Sequence, residues 1–258
     1  MTIATQPIER SPRDYPQWSG TFTIHAADLD AGGRVSAATV VGFLQEGAAS
    51  HAAQLGVGLQ ALQAIGRTWM LARMRIRFDE WPALDDPLTV KTWPTGARGR
   101  VVACRDYEAY NGAGRRLAAA TSEWVLVEVD KRRIARLTPD ILNLAPAWTP
   151  RVDLPETEPL ATGWTAVWQA VLPVRRADLD VNRHVNNGHY VEWLFEPLPD
   201  AWQSRRLVQI DIAYRLGAVH GDTVVSAAAA RHPAGVAHRL TRQSDGAVLV
   251  EATTTWAE

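Results

Sequence analysis

The sequence predicts an α+β fold laid out twice in tandem, each half one main helix packed on an antiparallel sheet. Three observations predict it. Residues 27–46 read ADLDAGGRVSAATVVGFLQE and residues 177–196 read ADLDVNRHVNNGHYVEWLFE, with 8 of 20 positions identical at an offset of 150. Further on, ATSEW at 120–124 faces ATTTW at 252–256, offset 132, so the second half is shorter between its helix and its last strands. Finally, each half carries one helical pattern followed by several alternating stretches, the order expected of one helix against one sheet.

The elements follow in order. A short strand at 21–24 leads into the first ADLD segment. Ser36 is a plausible N-cap of the helix after it, Val40, Phe43, Leu44, Gly47 and Ala48 form its apolar face, and Gly56 suits its C-terminus. Residues 70–78 alternate, with Met70, Ala72, Met74, Ile76 and Phe78 on one side and Arg73, Arg75 and Arg77 on the other. Strands at 88–93, 101–110 and 117–129 continue, with an Asn111-Gly112 hairpin between the last two. In the second half a strand at 167–173 precedes a helix whose face is Tyr190, Trp193 and Leu194 and which Pro197 stops early. Strands at 207–215, 223–231, 236–242 and 247–257 complete it. Between the halves, Pro139, Pro146, Pro150, Pro155 and Pro159 mark a semi-extended linker with one helical turn near 139–144. The expected domains are therefore 14–137, a linker at 138–163, and 164–258.

Composition narrows the function. With 27 Lys plus Arg against 28 Asp plus Glu, no global basic field for nucleic acid is present. One cysteine, Cys104, excludes an internal disulfide framework and any Cys-only metal site, and it reads as a small core residue of its strand. No apolar run approaches the roughly 18–20 residues of a membrane span, and the first 18 residues lack the apolar core of a secretory signal. On these readings a cytoplasmic protein is expected. The scattered histidines His189, His220, His232 and His238 show no ordered ligand spacing, so neither a metal nor a cofactor is expected. Eleven Trp residues are expected to fill the core.

Chemistry concentrates in the second ADLD copy. Asp, Leu, Asp and Val persist in both halves, whereas Asn182 and His184 stand where the first half has Gly32 and Arg34. This asymmetry points to one chemical site. Asp180, Asn182 and His184 are spaced i, i+2, i+4, which on an extended or irregular segment puts all three on one side, just before a helix N-terminus. Imidazole takes up a proton near neutral pH, a carboxylate can orient it or position a water, and helix N-terminal amides suit a developing oxyanion. The backbone N–H groups of Asn186, Asn187 and Gly188 are the candidate oxyanion donors. The competing view of such a segment is turn chemistry alone: Asx turns, caps and a hydrogen-bonded histidine.

Residues 175–196, RRADLDVNRHVNNGHYVEWLFE, closely resemble the signature of the acyl-acyl-carrier-protein thioesterases, double-hotdog enzymes with two tandem hotdog folds. The resemblance extends over about 22–256, through Glu123–Glu128 and Ile210–Tyr214 with Gly221-Asp222. It implies hydrolysis of a fatty-acyl thioester on acyl carrier protein, within fatty acid synthesis, with Asp180, Asn182 and His184 at the family's catalytic positions. The implied partner is acyl carrier protein, docked on one of the basic clusters (Arg73, Arg75 and Arg77; Lys131–Arg133; Arg175 and Arg176 with Arg183; Arg205 and Arg206), the others being solvated faces, with a homodimer left open. One departure stands out: three residues after Tyr214, where the family usually has a Glu, this chain has Gly217. Either Asp180 and His184 suffice to activate water, or the chain binds acyl thioesters without cleaving them. An acyl-CoA or polyketide-type thioesterase is the third reading.

Overall fold

A computed structural model describes residues 15–155 and 163–257. The chain divides into two compact units, one up to Ala72 and again over Phe78–Leu154, the other comprising Arg73–Arg77 and the chain from Pro155 onwards. Both are α+β, as the sequence predicts.

The first unit runs β1 (Trp18–Thr23), a 3-10 turn (Ala26–Asp28), α1 (Ala37–Gln54), α2 (Leu59–Gln63), β2 (Arg67–Phe78), β3 (Pro87–Arg98), β4 (Val102–Tyr110), β5 (Arg116–Glu128), β6 (Arg133–Ala135) and α3 (Pro139–Leu142). Its strand order is β1-β3-β4-β5-β2, with β6 beside β5. Ser36 caps α1 by accepting the Thr39 amide at 3.0 Å. At the other end Gly56 N–H donates to Ala53 O and Val57 N–H to Ala52 O, so two orphan carbonyls are satisfied. The predicted apolar face is buried against β1 and β3. Trp18 lies so close to α1 that a Cβ at Gly47 would meet its ring at 2.9 Å.

The second unit repeats the plan with β7 (Trp168–Pro173), a 3-10 turn (Arg176–Asp178), α4 (Asn187–Phe195), α5 (Asp200–Gln203), β8 (Leu207–Tyr214), β9 (Thr223–His232), β10 (Gly235–Arg242) and β11 (Val248–Trp256). The order β8-β11-β10-β9-β7 matches that of the first unit strand for strand. Pro197 stops α4 after nine residues, which strands its last carbonyls inside the sheet. Side chains of the sheet satisfy them: Ser226 Oγ donates to Trp193 O at 2.6 Å and His238 Nδ1 to Leu194 O at 3.0 Å. The Nε2 of His238 then accepts from Thr254 Oγ1 at 2.8 Å. Burial pushes this histidine down to about 3.

Five sequence expectations need correction. Alternation in β2 changes phase: Leu71 is buried and Met70 exposed, whereas Met74, Ile76 and Phe78 point inward as predicted. The change comes where the strand passes to Arg73–Arg77, which pair with β8 in the second unit. Arg73 is therefore no solvated face residue; its Nε and Nη2 grip the fully buried Asp211 at 2.8 and 2.6 Å. The β4–β5 hairpin does not pivot on Gly112. Asn111 Oδ1 accepts the amides of Ala113 and Arg115, and the left-handed residue is Gly114, φ 77°. Cys104 is only partly buried. Lastly, residues 138–154 pack on the first unit rather than forming a free linker. Trp93 Nε1 donates to Pro150 O, and the buried Asp106 draws the Val152 amide at 2.8 Å and Arg151 at 3.3 Å. A carboxylate taken out of water requires such donors. Pro159 lies outside the described residues. No helix among the described residues is long and apolar enough to cross a membrane.

Candidate active site

The two repeats build the same loop from the same residues. In each, the aspartate ending the 3-10 turn accepts the amide of the residue before the turn: His25 N–H to Asp28 Oδ2 at 2.8 Å, and Arg175 N–H to Asp178 Oδ2 at 2.7 Å. The next aspartate closes the turn that follows. Asp30 Oδ1 accepts the amides of Gly32 and Arg34 at 2.8 and 2.9 Å. Asp180 Oδ1 accepts those of Asn182 and His184 at 2.8 and 3.2 Å. Leu29 bridges to Val35 and Leu179 to Val185 in the same antiparallel manner. The residues that persist between the repeats are thus the scaffold, and Asn182 and His184, where the first repeat has Gly32 and Arg34, are carried on it.

Of the extended and irregular arrangements that the i, i+2, i+4 spacing allows, the chain adopts an irregular one. Residues 180–184 form a tight turn, with Asp180 N–H donating to His184 O at 2.7 Å and Arg183 N–H to Asp180 O at 3.0 Å. Asp180, Asn182 and His184 are brought together by that turn. Asp180 does not orient the imidazole through its side chain; Oδ1 holds the backbone, and Oδ2 lies 3.5 Å from Asn182 Nδ2. The ring is oriented instead by the Asn182 carbonyl, 3.0 Å from His184 Nδ1. A carbonyl oxygen only accepts, so Nδ1 carries the proton and Nε2 of the neutral ring is the basic nitrogen. His184 is exposed and Asn182 half-buried.

Helix α4 starts immediately after the turn. Asn186 caps it, accepting the Gly188 amide on Oδ1 at 2.9 Å, while the Asn186 amide donates to Asp178 O at 2.8 Å. The amides of Asn186 and Gly188, expected as oxyanion donors, are already engaged by the cap and by the scaffold aspartate. Helix capping satisfies orphan donors in just this way.

The segment after β8 lies against the turn. Val185 N–H donates to Ala218 O at 3.0 Å, and the Ala218 amide donates to the Tyr190 hydroxyl at 2.7 Å. Burial pushes the Tyr190 phenol up to about 12, so it stays protonated. Tyr214 donates to Asn187 O at 3.4 Å, and burial raises its phenol too. These contacts place Gly217 directly on the His184 ring: a Cβ there would stand 2.6 Å from Cδ2 and 3.2 Å from Cγ. Gly217 is not among the left-handed glycines, so its constraint is steric.

A second difference between the repeats is conformational. Gly33 and Arg183 occupy the same place in the turn, and both are left-handed, φ 74° and 62°. Glycine takes that conformation freely, whereas a side chain there costs roughly 1–2 kcal/mol. Beside this turn is an open depression of about 630 Å³ lined by Arg176, Leu179, Arg183, Val219 and His220. Sequence reasoning missed the Gly217 contact and the strained arginine. The only signal for the latter is the alignment of Arg183 with Gly33.

The models of the acyl-ACP thioesterase N-terminal and C-terminal domains match residues 16–145 and 165–258. The chain is 28% identical over 239 residues to oleoyl-acyl carrier protein thioesterase 2, chloroplastic, of Arabidopsis thaliana, covering 85% of this chain and 65% of that protein. It is also 28% identical to the chloroplastic palmitoyl-acyl carrier protein thioesterase of Gossypium hirsutum, covering 99% of this chain and 67% of that one. The chain spans about 60–65% of the length of the first three curated relatives. The solved 12:0-ACP thioesterase from Umbellularia californica superimposes with a TM-score of 0.82 at 25% identity, covering 95% of this chain and 98% of that one. An acyl-ACP thioesterase from Bacteroides thetaiotaomicron shares the fold with a TM-score of 0.84 at 20% identity, covering 94% and 98%. The fold is a tandem hotdog, and with both family domains matched in order along the chain, the protein belongs to the acyl-ACP thioesterase family.

Proposed function

We propose that this protein hydrolyses fatty-acyl thioesters carried on acyl carrier protein, releasing the fatty acid and the free carrier thiol. The observation that carries the reading is the pair of matching turns: one scaffold, built twice, of which only the second bears Asn182 and a His184 whose basic Nε2 is set by a backbone carbonyl.

In this mechanism His184 Nε2 takes a proton from water as the water oxygen bonds to the thioester carbonyl carbon. The tetrahedral intermediate collapses with loss of the C–S bond, and the His184 imidazolium returns its proton to the departing sulfur. Asp180 acts through the backbone, holding Asn182 and His184 in register. The Asn182 side chain orients the carbonyl or the water. With the Asn186 and Gly188 amides engaged, the oxyanion faces the Asn182 amide and the positive end of α4. The names of the relatives, which are acyl carrier protein thioesterases, support the choice of carrier.

The test is a free-thiol release assay on carrier-protein and CoA thioesters of several acyl lengths. Release with higher kcat/KM on the carrier-bound thioesters is expected. Binding of acyl thioesters without thiol release overturns the reading in favour of an acyl-thioester binding protein, the alternative that the missing carboxylate at Gly217 raises. Preference for the CoA thioesters overturns the choice of carrier.

A further inference from the structure

We infer that Arg176, Arg183 and His220 form a phosphate-recognition site for the phosphopantetheine arm that presents the thioester. The inference rests on the thioesterase reading and names how that site recognises the non-acyl part of its substrate.

The two repeats again carry the argument. Arg176 and Arg183 stand where the first repeat has Ala26 and Gly33. Both cations therefore occur only in the repeat that carries Asn182 and His184. Arg183 is held in a left-handed conformation for which the sibling turn uses glycine. The turn does not need an arginine at this place, since the other copy closes the same turn with Gly33 there.

Charge pairing points the same way. Arg34 in the first turn is paired with Asp30 at 3.3 Å, and Arg175 with Asp178 at 2.7 Å. Arg176 and Arg183 have no carboxylate partner among the described residues. The acids around them are committed: Asp178 to Arg175, Asp180 to the turn, and Asp222 to Arg242 at 3.2 Å and the Val219 amide at 3.0 Å. Two exposed guanidinium groups and an imidazole thus line one depression, with Leu179 and Val219 as its apolar wall.

That lining has the chemistry of a phosphopantetheine arm: an anionic phosphate for the arginines, whose planar fork suits phosphate oxygens, and an aliphatic, amide-containing chain for the apolar wall. The depression also adjoins the reacting group. Arg183 immediately precedes His184, and Val219 and His220 follow Gly217, which touches the His184 ring.

The experiment compares four substrates with one acyl group: acyl-pantetheine, acyl-phosphopantetheine, acyl-CoA and acyl carrier protein. It uses wild type and the double variant Arg176→Ala/Arg183→Gly, which gives the second turn the residues of the first and relieves its strain. Wild type is expected to prefer acyl-phosphopantetheine over acyl-pantetheine by at least about tenfold in kcat/KM, the weight of one charge-assisted hydrogen bond. The double variant is expected to lose that preference and to lose efficiency on acyl carrier protein. No preference in wild type, or a loss confined to acyl-CoA, overturns the site. Calorimetric titration with phosphopantetheine itself gives an independent readout. If wild type cleaves none of the four, the thioesterase reading fails. The phosphate site then stands if phosphopantetheine binds wild type more tightly than the variant, and falls if it does not.

Discussion

The His184 ring rests on the bare backbone of Gly217, where even one added carbon would stand 2.6 Å from Cδ2. Any side chain at 217 must displace the ring that the Asn182 carbonyl orients. Gly217→Ala is therefore expected to lower kcat by roughly ten- to a hundredfold, within the range of a misplaced acid–base group, with little change in thermal midpoint. Gly217→Glu, which supplies the carboxylate the family usually has there, is expected to fall at least as far rather than gain. Steady-state kinetics with a histidine-resolved NMR spectrum checks both. An active Gly217→Glu enzyme with an unmoved His184 resonance would show that the contact is unimportant.

Exchanges at matched positions of the two turns separate chemistry from scaffold. His184→Ala is expected to reduce turnover by about 10²-fold or more, and Asn182→Ala to reduce it as well. Asp180→Ala and Asp30→Ala each remove an acceptor of two amides. Each should cost about 1–2 kcal/mol, since the sites are partly exposed. Turnover should fall only for Asp180. Equal losses of activity at Asp30 and Asp180, measured beside denaturant midpoints, would refute a single site.

Acid should destabilise the protein through two interior histidines. Burial holds His51 and His238 at about 3, with the Arg105 guanidinium adding to the effect at His51. Both are neutral when folded, and the unfolded chain protonates them below about 6.5. Their contribution is full above that pH and is lost as pH falls from there toward 3, by up to ~1.4 kcal/mol per pH unit for each. His238→Gln keeps a donor for Leu194 O and an acceptor for Thr254. Urea unfolding at pH 7, 5.5 and 4.5 should show a shallower loss for this variant; an unchanged slope would count against the assignment.

Removing Arg73 should leave Asp211 as a buried anion. The arginine is one-third exposed and the aspartate fully buried, so the expected loss lies below the usual range for a broken buried pair, at about 2 kcal/mol. Arg73→Met combined with Asp211→Leu should recover most of it, read by chemical denaturation. A double variant weaker than the single one would contradict this account.

The repeat made most of the fold legible. Ser36, Pro197 and the apolar faces of both helices each carry a local signal, and local signals survive in one sequence. The same repeat picked out Asn182 and His184 as acid–base-capable residues that the first half lacks at the matching places. Tertiary demands were not legible. Nothing local says that Leu71 rather than Met70 turns inward, that buried Asp106 draws in residues 151 and 152, or that Gly217 meets a ring 33 positions earlier. The spacing of Asp180, Asn182 and His184 grouped them but did not choose between an extended and an irregular run. An aspartate accepting amides two and four residues ahead makes a turn.

The placement of Arg73–Arg77 bears on the modularity of the chain. The duplicated stretch is a unit of heredity, recognisable from residue 177 onwards, but the folded body it produces also needs a strand encoded within the other copy. Cutting the gene at the repeat boundary would leave β8 with an unpaired edge and Asp211 without its cation. Recombination, truncation or domain grafting at that seam therefore transfers a sequence module without transferring a complete folding module.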